Sequence, residues 1–189
     1  DINIKEEDES HFNSWRDTDD SYDITVLATP LRQSIEILEN ILESGRRGII
    51  FDIASIKSPI KELLKEISDK GMKVTSIHPM FGPDTDLLTG KHVVFMNIDS
   101  HGTHLEIMKL FESTTAQMIE MSIDSHDYAI SYVLGLSHII NIAFSKVLHD
   151  SGEKKDEFSQ VSSTTFKDQI EVARRVSQEN PNLYFEIQH

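Results

Sequence analysis

The chain of 189 residues contains no cysteine. Disulfides, thiolate nucleophiles and cysteine metal sites are therefore excluded, and the composition fits a reducing cytoplasm. Basic residues are scarce. Eighteen lysines and arginines stand against 32 acids, for a net charge of −14. Phosphate backbones need a basic surface, so nucleic acid is not an expected partner. No uninterrupted apolar run approaches the roughly 20 residues of a membrane span. With an acidic rather than basic and apolar N-terminus, no signal peptide is expected, nor a membrane partner.

What is present suits a packed domain. Hydrophobic residues make up 38% and charged residues 26%, a balance that supports a core rather than disorder. The charge is uneven: residues 1–23 hold nine acids and two bases, half of the net total. That stretch reads as a solvated face.

From Asp23 onward, short apolar runs alternate with helical periodicity. Asp23–Ala28 reads as a strand ended by Thr29-Pro30. Leu31, Ile35, Leu38, Ile41 and Leu42 mark a helix over 31–44, closed by Gly45. Gly48–Ile53 is a second strand, apolar almost throughout, as in a parallel strand covered on both faces. Ser58-Pro59 opens a helix ending near Gly71. Lys73–Ile77, His92–Met96 and Gln117–Met121 are further strands, with a helix around Leu105–Phe111. Such alternation predicts an α/β fold with a mostly parallel sheet.

The alternation stops near residue 122. Tyr128–Leu148 reads as one long helix, apolar nearly all round, and so expected to be buried in a second domain or a subunit interface. A polar stretch over Ser151–Ser163 leads to a last helix near 165–178, before Asn180-Pro181. Two domains are predicted, 1–122 and an all-α domain over 123–189. A dinucleotide-binding sheet opens on strand, Gly-x-Gly-x-x-Gly and helix. The eight glycines never form that pattern. The sheet is therefore expected to be N-terminally incomplete, with Asp1–Ile4 the tail of a preceding strand.

Several polar residues could carry chemistry. His78, in His78-Pro79-Met80-Phe81-Gly82-Pro83, stands directly after the third strand. An imidazole held there can exchange a proton near neutral pH, or it can cap a loop. Ser55, three residues after Asp52, can bond a ligand or cap the next helix. Lys57 reads by default as a solvated lysine. His138 interrupts the apolar helix, so it needs a partner or a cavity. Arg174-Arg175 can clamp a carboxylate bidentately or complement the helix dipole. His101-Gly102-Thr103-His104 lacks a third ligand and reads as a loop and helix start, so no metal is expected.

Taken in order, Ala28-Thr29-Pro30, Asp52-x-x-Ser55-x-Lys57, His78-Pro79-Met80-x-Gly82, His126-Asp127, Ser137-His138 and Arg175 followed by Asn180-Pro181 resemble the prephenate dehydrogenase family, from about residue 23 to the end. The resemblance implies a Rossmann-like domain followed by an all-α substrate and dimerisation domain. It implies NAD(P)-dependent oxidative decarboxylation of prephenate, or of arogenate in relatives, in tyrosine biosynthesis. NAD, or NADP, is the implied cofactor. A small-molecule substrate and a second copy bound through the helical domain are the implied partners.

By the same resemblance, His78 takes the substrate's hydroxyl proton, and Ser55 holds His78 and that hydroxyl near the nicotinamide. His138 lines the substrate pocket, and Arg175 clamps a carboxylate. Thr29-Pro30 forms the loop that passes the cofactor. Without the glycine-rich loop, this chain by itself is expected to bind NAD weakly. The missing loop also suits a non-catalytic dimerisation or regulatory module of the same fold. A third reading is another β-hydroxyacid-type dehydrogenase. Those usually place a lysine, not a histidine, on the long helix.

Overall fold

The computed structural model describes residues 12, 14–18, 22–82, 85–98, 101–152, 158 and 161–178. The expected strand remnant at residues 1–4, Pro83-Asp84 and Asn180-Pro181 lie outside them. The chain divides into two compact units, Asp1–Ile123 and Asp124–His189.

The first unit is a five-stranded sheet in the order β1-β2-β3-β4-β5. Its strands are β1 (Ile24–Leu27), β2 (Ile49–Asp52), β3 (Lys73–Pro79), β4 (His92–Met96) and β5 (Gln117–Met121). The pairs β1–β2, β2–β3 and β4–β5 are parallel, and β3–β4 is antiparallel. The exception has a local cause. A parallel return needs a crossover element, usually a helix, and among the described residues no helix separates β3 from β4.

Helix α1 (Leu31–Ser44) starts straight after Pro30, whose carbonyl takes the Ser34 N–H at 3.0 Å. It stops at Gly45, which adopts φ 70° and returns its N–H to Ile41 O. Helix α2 (Lys61–Asp69) follows a 3₁₀ turn at Ser58–Ile60, and α3 spans Thr103–Met108. Sheet alternation sends Leu27, Ile50, Val74, Val94 and Met96 to one face, where they pack with Leu38, Ile41, Leu64 and Ile67 of α1 and α2. Phe51, Ile77, Val93 and Phe95 face the other way, against Ile107. Each such side chain contributes about 1.5–3 kcal/mol on full burial.

Gly48 sets the entry to β2. Its φ is +83°, and a Cβ there would lie 2.5 Å from Tyr22 O and 2.7 Å from Asp23 O. The Asp23 carbonyl already takes the Ile49 N–H at 2.8 Å, so it cannot retreat without breaking the β1–β2 ladder. Gly48→Ala should therefore cost at least ~1–3 kcal/mol in backbone strain alone. The check is a lowered urea midpoint at unchanged m-value.

In the second unit, α4 (Ile123–Ile130), a π-helical segment (Ser131–Leu136) and α5 (Ser137–Asp150) run on as one helix of 28 residues. Helix α6 (Thr164–Gln178) packs on α5. The Asn141 side chain takes Gln169 Nε2–H at 2.7 Å and donates to Ser137 O. Of the two expectations for this helix, burial within the chain's own second domain is met only in part, and a subunit interface stays open. Tyr128 is 69% exposed, and Tyr132, Val133, Leu136, Ile139, Ile140 and Val147 also reach solvent. By length and composition alone this helix could cross a membrane, a test that core helices of soluble proteins also pass.

Candidate functional site

Three adjacent parallel strands deliver polar residues to one edge of the sheet. β1 ends at Leu27 and leads into Thr29 and Pro30; β2 ends at Asp52 and leads into Ser55; β3 ends at His78-Pro79. Ligands of open α/β sheets sit at the carboxyl ends of such strands. Thr29, Pro30, Ser55 and His78 are thus brought to the same edge. His138 and Arg175 belong to the second unit.

His78 lies inside β3, not after it. It stands in register with Val94 of β4 and is only 4% exposed. The strand continues because Pro79, which has no N–H, still accepts extended geometry. Buried and paired with β4 on one side, the residue has its backbone held by the ladder.

Ser55 is half-buried. It does not cap the following turn, whose N-cap residue is Lys57 with no side-chain cap bond. Thr29 is exposed, and its hydroxyl shares a 2.9 Å hydrogen bond with Ser34 in the first turn of α1. The Thr29 carbonyl accepts from the same Ser34 hydroxyl at 3.1 Å and the Pro30 carbonyl takes the Ser34 N–H, so this turn is tied to the start of α1.

Lys57 corrects the sequence reading. It is not solvated but fully buried, with Nζ 2.7 Å from Asp52 Oδ1 and 2.7 Å from Ile77 O. The signal available in the sequence is an acid at the end of an apolar strand with a lysine five residues on.

On the second unit, His138 is half-buried and lies two residues past the end of the π-helical segment. The Ser137 hydroxyl donates back to Val133 O at 2.6 Å, across that segment. A π turn inserts a residue into the helix and rotates the turns beyond it, and such segments gather at functional positions. Arg174 is engaged by Glu171 at 2.8 Å, and that carboxylate holds the exposed guanidinium above its ordinary value. Arg175 is exposed and forms no ion pair with a described residue. A further dyad, His126 Nδ1 to Asp127 Oδ1 at 2.7 Å, is buried at the start of α4. His104, read as part of a loop start, is a buried residue of α3 with Nε2 3.2 Å from Glu120 Oε1.

Two family models cover the chain. "Prephenate dehydrogenase, nucleotide-binding domain" matches residues 2–120, and "Prephenate dehydrogenase, dimerization domain" matches 122–189. A protein of Methanocaldococcus jannaschii described as "Probable arogenate/prephenate dehydrogenase" is 26% identical over 170 residues, 88% of this chain and 38% of that one. The chain spans less than half the length of the curated relatives it matches. Among solved structures, Aquifex aeolicus prephenate dehydrogenase, in complex with hydroxyphenyl propionate and NAD+, superposes with a TM-score of 0.67 at 20% identity. That match covers 87% of this chain and 59% of the other. Synechocystis arogenate dehydrogenase gives 0.64 at 20% identity, covering 89% and 63%. These likenesses confirm the fold: a Rossmann-like, mostly parallel sheet followed by a helical domain.

Proposed function

Because the chain belongs to the prephenate dehydrogenase family, we propose that it carries the substrate-facing part of an NAD(P)-dependent oxidative decarboxylation of prephenate. The observation that carries this reading is the gathering of Thr29, Pro30, Ser55 and His78 at the carboxyl ends of three neighbouring parallel strands. We divide the chain as the family does, into a nucleotide-binding domain over 1–122 and a substrate and dimerisation domain over 123–189.

The exposed Thr29-Pro30 turn and half-buried Ser55 suit the flank of a flat ring laid across this edge. They are the residues we assign to the cofactor. When bound, a nicotinamide supplies the hydride acceptor. His78 accepts the hydroxyl proton as the hydride leaves the same carbon, and the C–O bond becomes a carbonyl. The ring carboxylate then departs as CO₂, its bonding electrons enter the ring, and the ring becomes aromatic. Aromatisation drives the step, so the chain's task is chiefly to orient and to hold a proton. Ser55 keeps the substrate hydroxyl on His78. To His138 and Arg175, both on the helical unit, we assign contact with the substrate, Arg175 through a carboxylate.

The reading is tested by following NAD reduction with prephenate, and separately with arogenate, using the product of this gene. Absence of turnover with both would sink it. Arg175→Ala should raise KM for prephenate by about 10- to 100-fold, the loss of a charge-assisted pair, with kcat changed far less. Arg174→Ala should leave both nearly unchanged, since Glu171 already occupies that guanidinium. An equal effect at both positions would remove the assignment. The cysteine-free chain fits a cytoplasmic enzyme, and we read the exposed apolar helix as the seat of a second copy.

A further inference from the structure

Strand β3 outlasts its neighbour. β2 pairs with it only as far as Asp52↔Ser76, yet β3 continues through Ile77, His78 and Pro79. Met80 N–H donates to His92 O at 2.9 Å, so in the β3–β4 register the His78 peptide groups also face β4. The groups of Ile77 and Pro79 face the side where β2 has stopped. Pro79 has no N–H to satisfy there, but the Ile77 carbonyl needs a donor.

Parallel register names the donor that should come: the Ala54 N–H. One strand over, the matching bond runs from Ile53 N–H to Leu27 O at 3.2 Å. Ala54 N–H instead turns back to Asp52 Oδ1 at 2.9 Å, which ends β2. The Lys57 ammonium fills the place, 2.7 Å from Ile77 O and 2.7 Å from that same Asp52 oxygen. Asp52 thus removes the backbone donor and supplies the charged replacement.

We propose that Asp52 and Lys57 are positioning residues that lock the Ile77–His78 peptide and, through it, the direction in which His78 presents its imidazole. The carbonyl of Ile77 and the N–H of His78 belong to one peptide unit, so a bond on the oxygen restrains both. Stability alone is a poor account of the pair. Both side chains are completely buried, and a buried ion pair is often no better for stability than apolar residues of the same volume. An apolar pair could not donate to Ile77 O. The inference rests on reading His78 as the proton acceptor.

The test uses Lys57→Met and the double variant Asp52→Asn/Lys57→Met, which removes the donor without stranding a buried charge. Native-state hydrogen exchange is read at the His78 amide against those of Leu38 and Ile41, which report the core as a whole. The His78 amide should exchange about tenfold faster relative to them, and kcat with prephenate should fall about tenfold with KM within a factor of about two. A folded double variant with His78 exchange unchanged overturns the proposal. So does equal acceleration of all three amides, or a double variant that does not fold, since either makes the pair a general stabiliser. A wild-type protein without turnover would sink the functional reading while leaving the exchange result to decide this one.

Discussion

His78→Asn is expected to lower kcat by about 10²- to 10⁴-fold, the usual loss when a general base is removed, with KM for prephenate moved far less. Asparagine is the informative replacement because His78 is buried within β3. Alanine would leave a cavity and confuse packing with chemistry. Asparagine keeps a polar side chain that bonds its neighbours but cannot take a proton. Steady-state rates with NAD and prephenate measure the loss. A variant with wild-type kcat removes His78 from the role of base.

The same residue shows how much of this site is legible in the sequence. The alternation of apolar runs locates the five strands, and Pro30 and Gly45 bound the 31–44 helix because each acts through its own backbone geometry. Order along the chain puts Thr29, Ser55 and His78 near strand ends. Parallel pairing then places those ends side by side.

Lys57 escapes such a reading because burial of a lysine depends on a partner from another strand. The Ile77 carbonyl is twenty residues away in sequence, and no local pattern announces it. The long helix escapes it for a related reason. Apolar residues on every side signal cover, but not whether the cover comes from the same chain. Tyr128, Tyr132, Leu136 and Ile140 are exposed here.

That exposed stripe carries the second large prediction. Leu136→Asp combined with Ile140→Asp is expected to convert a dimer into a monomer at micromolar concentration. The two positions are four apart and so share one face of the helix. The neighbouring Tyr128–Tyr132 pair, with ring centroids 5.4 Å apart in edge contact, adds the kind of rigid aromatic anchor that concentrates binding energy. Residues 122–189 match the family's dimerisation domain. In a two-fold interface each substitution acts twice. Burying one leucine or isoleucine contributes about 1.5–3 kcal/mol, so four lost side chains amount to roughly 6–12 kcal/mol. If only a third of that is realised at the interface, about 2–4 kcal/mol, the dissociation constant still rises by about 30- to 1,000-fold. The introduced carboxylates oppose each other and add to the loss. Sedimentation velocity over a dilution series is the measurement, with thermal unfolding to show that the variant's sheet domain remains intact. A wild-type chain that sediments as a monomer at high concentration would overturn the prediction, as would a doubly charged variant that still dimerises. A wild-type chain found only in the detergent phase would assign the stripe to lipid instead.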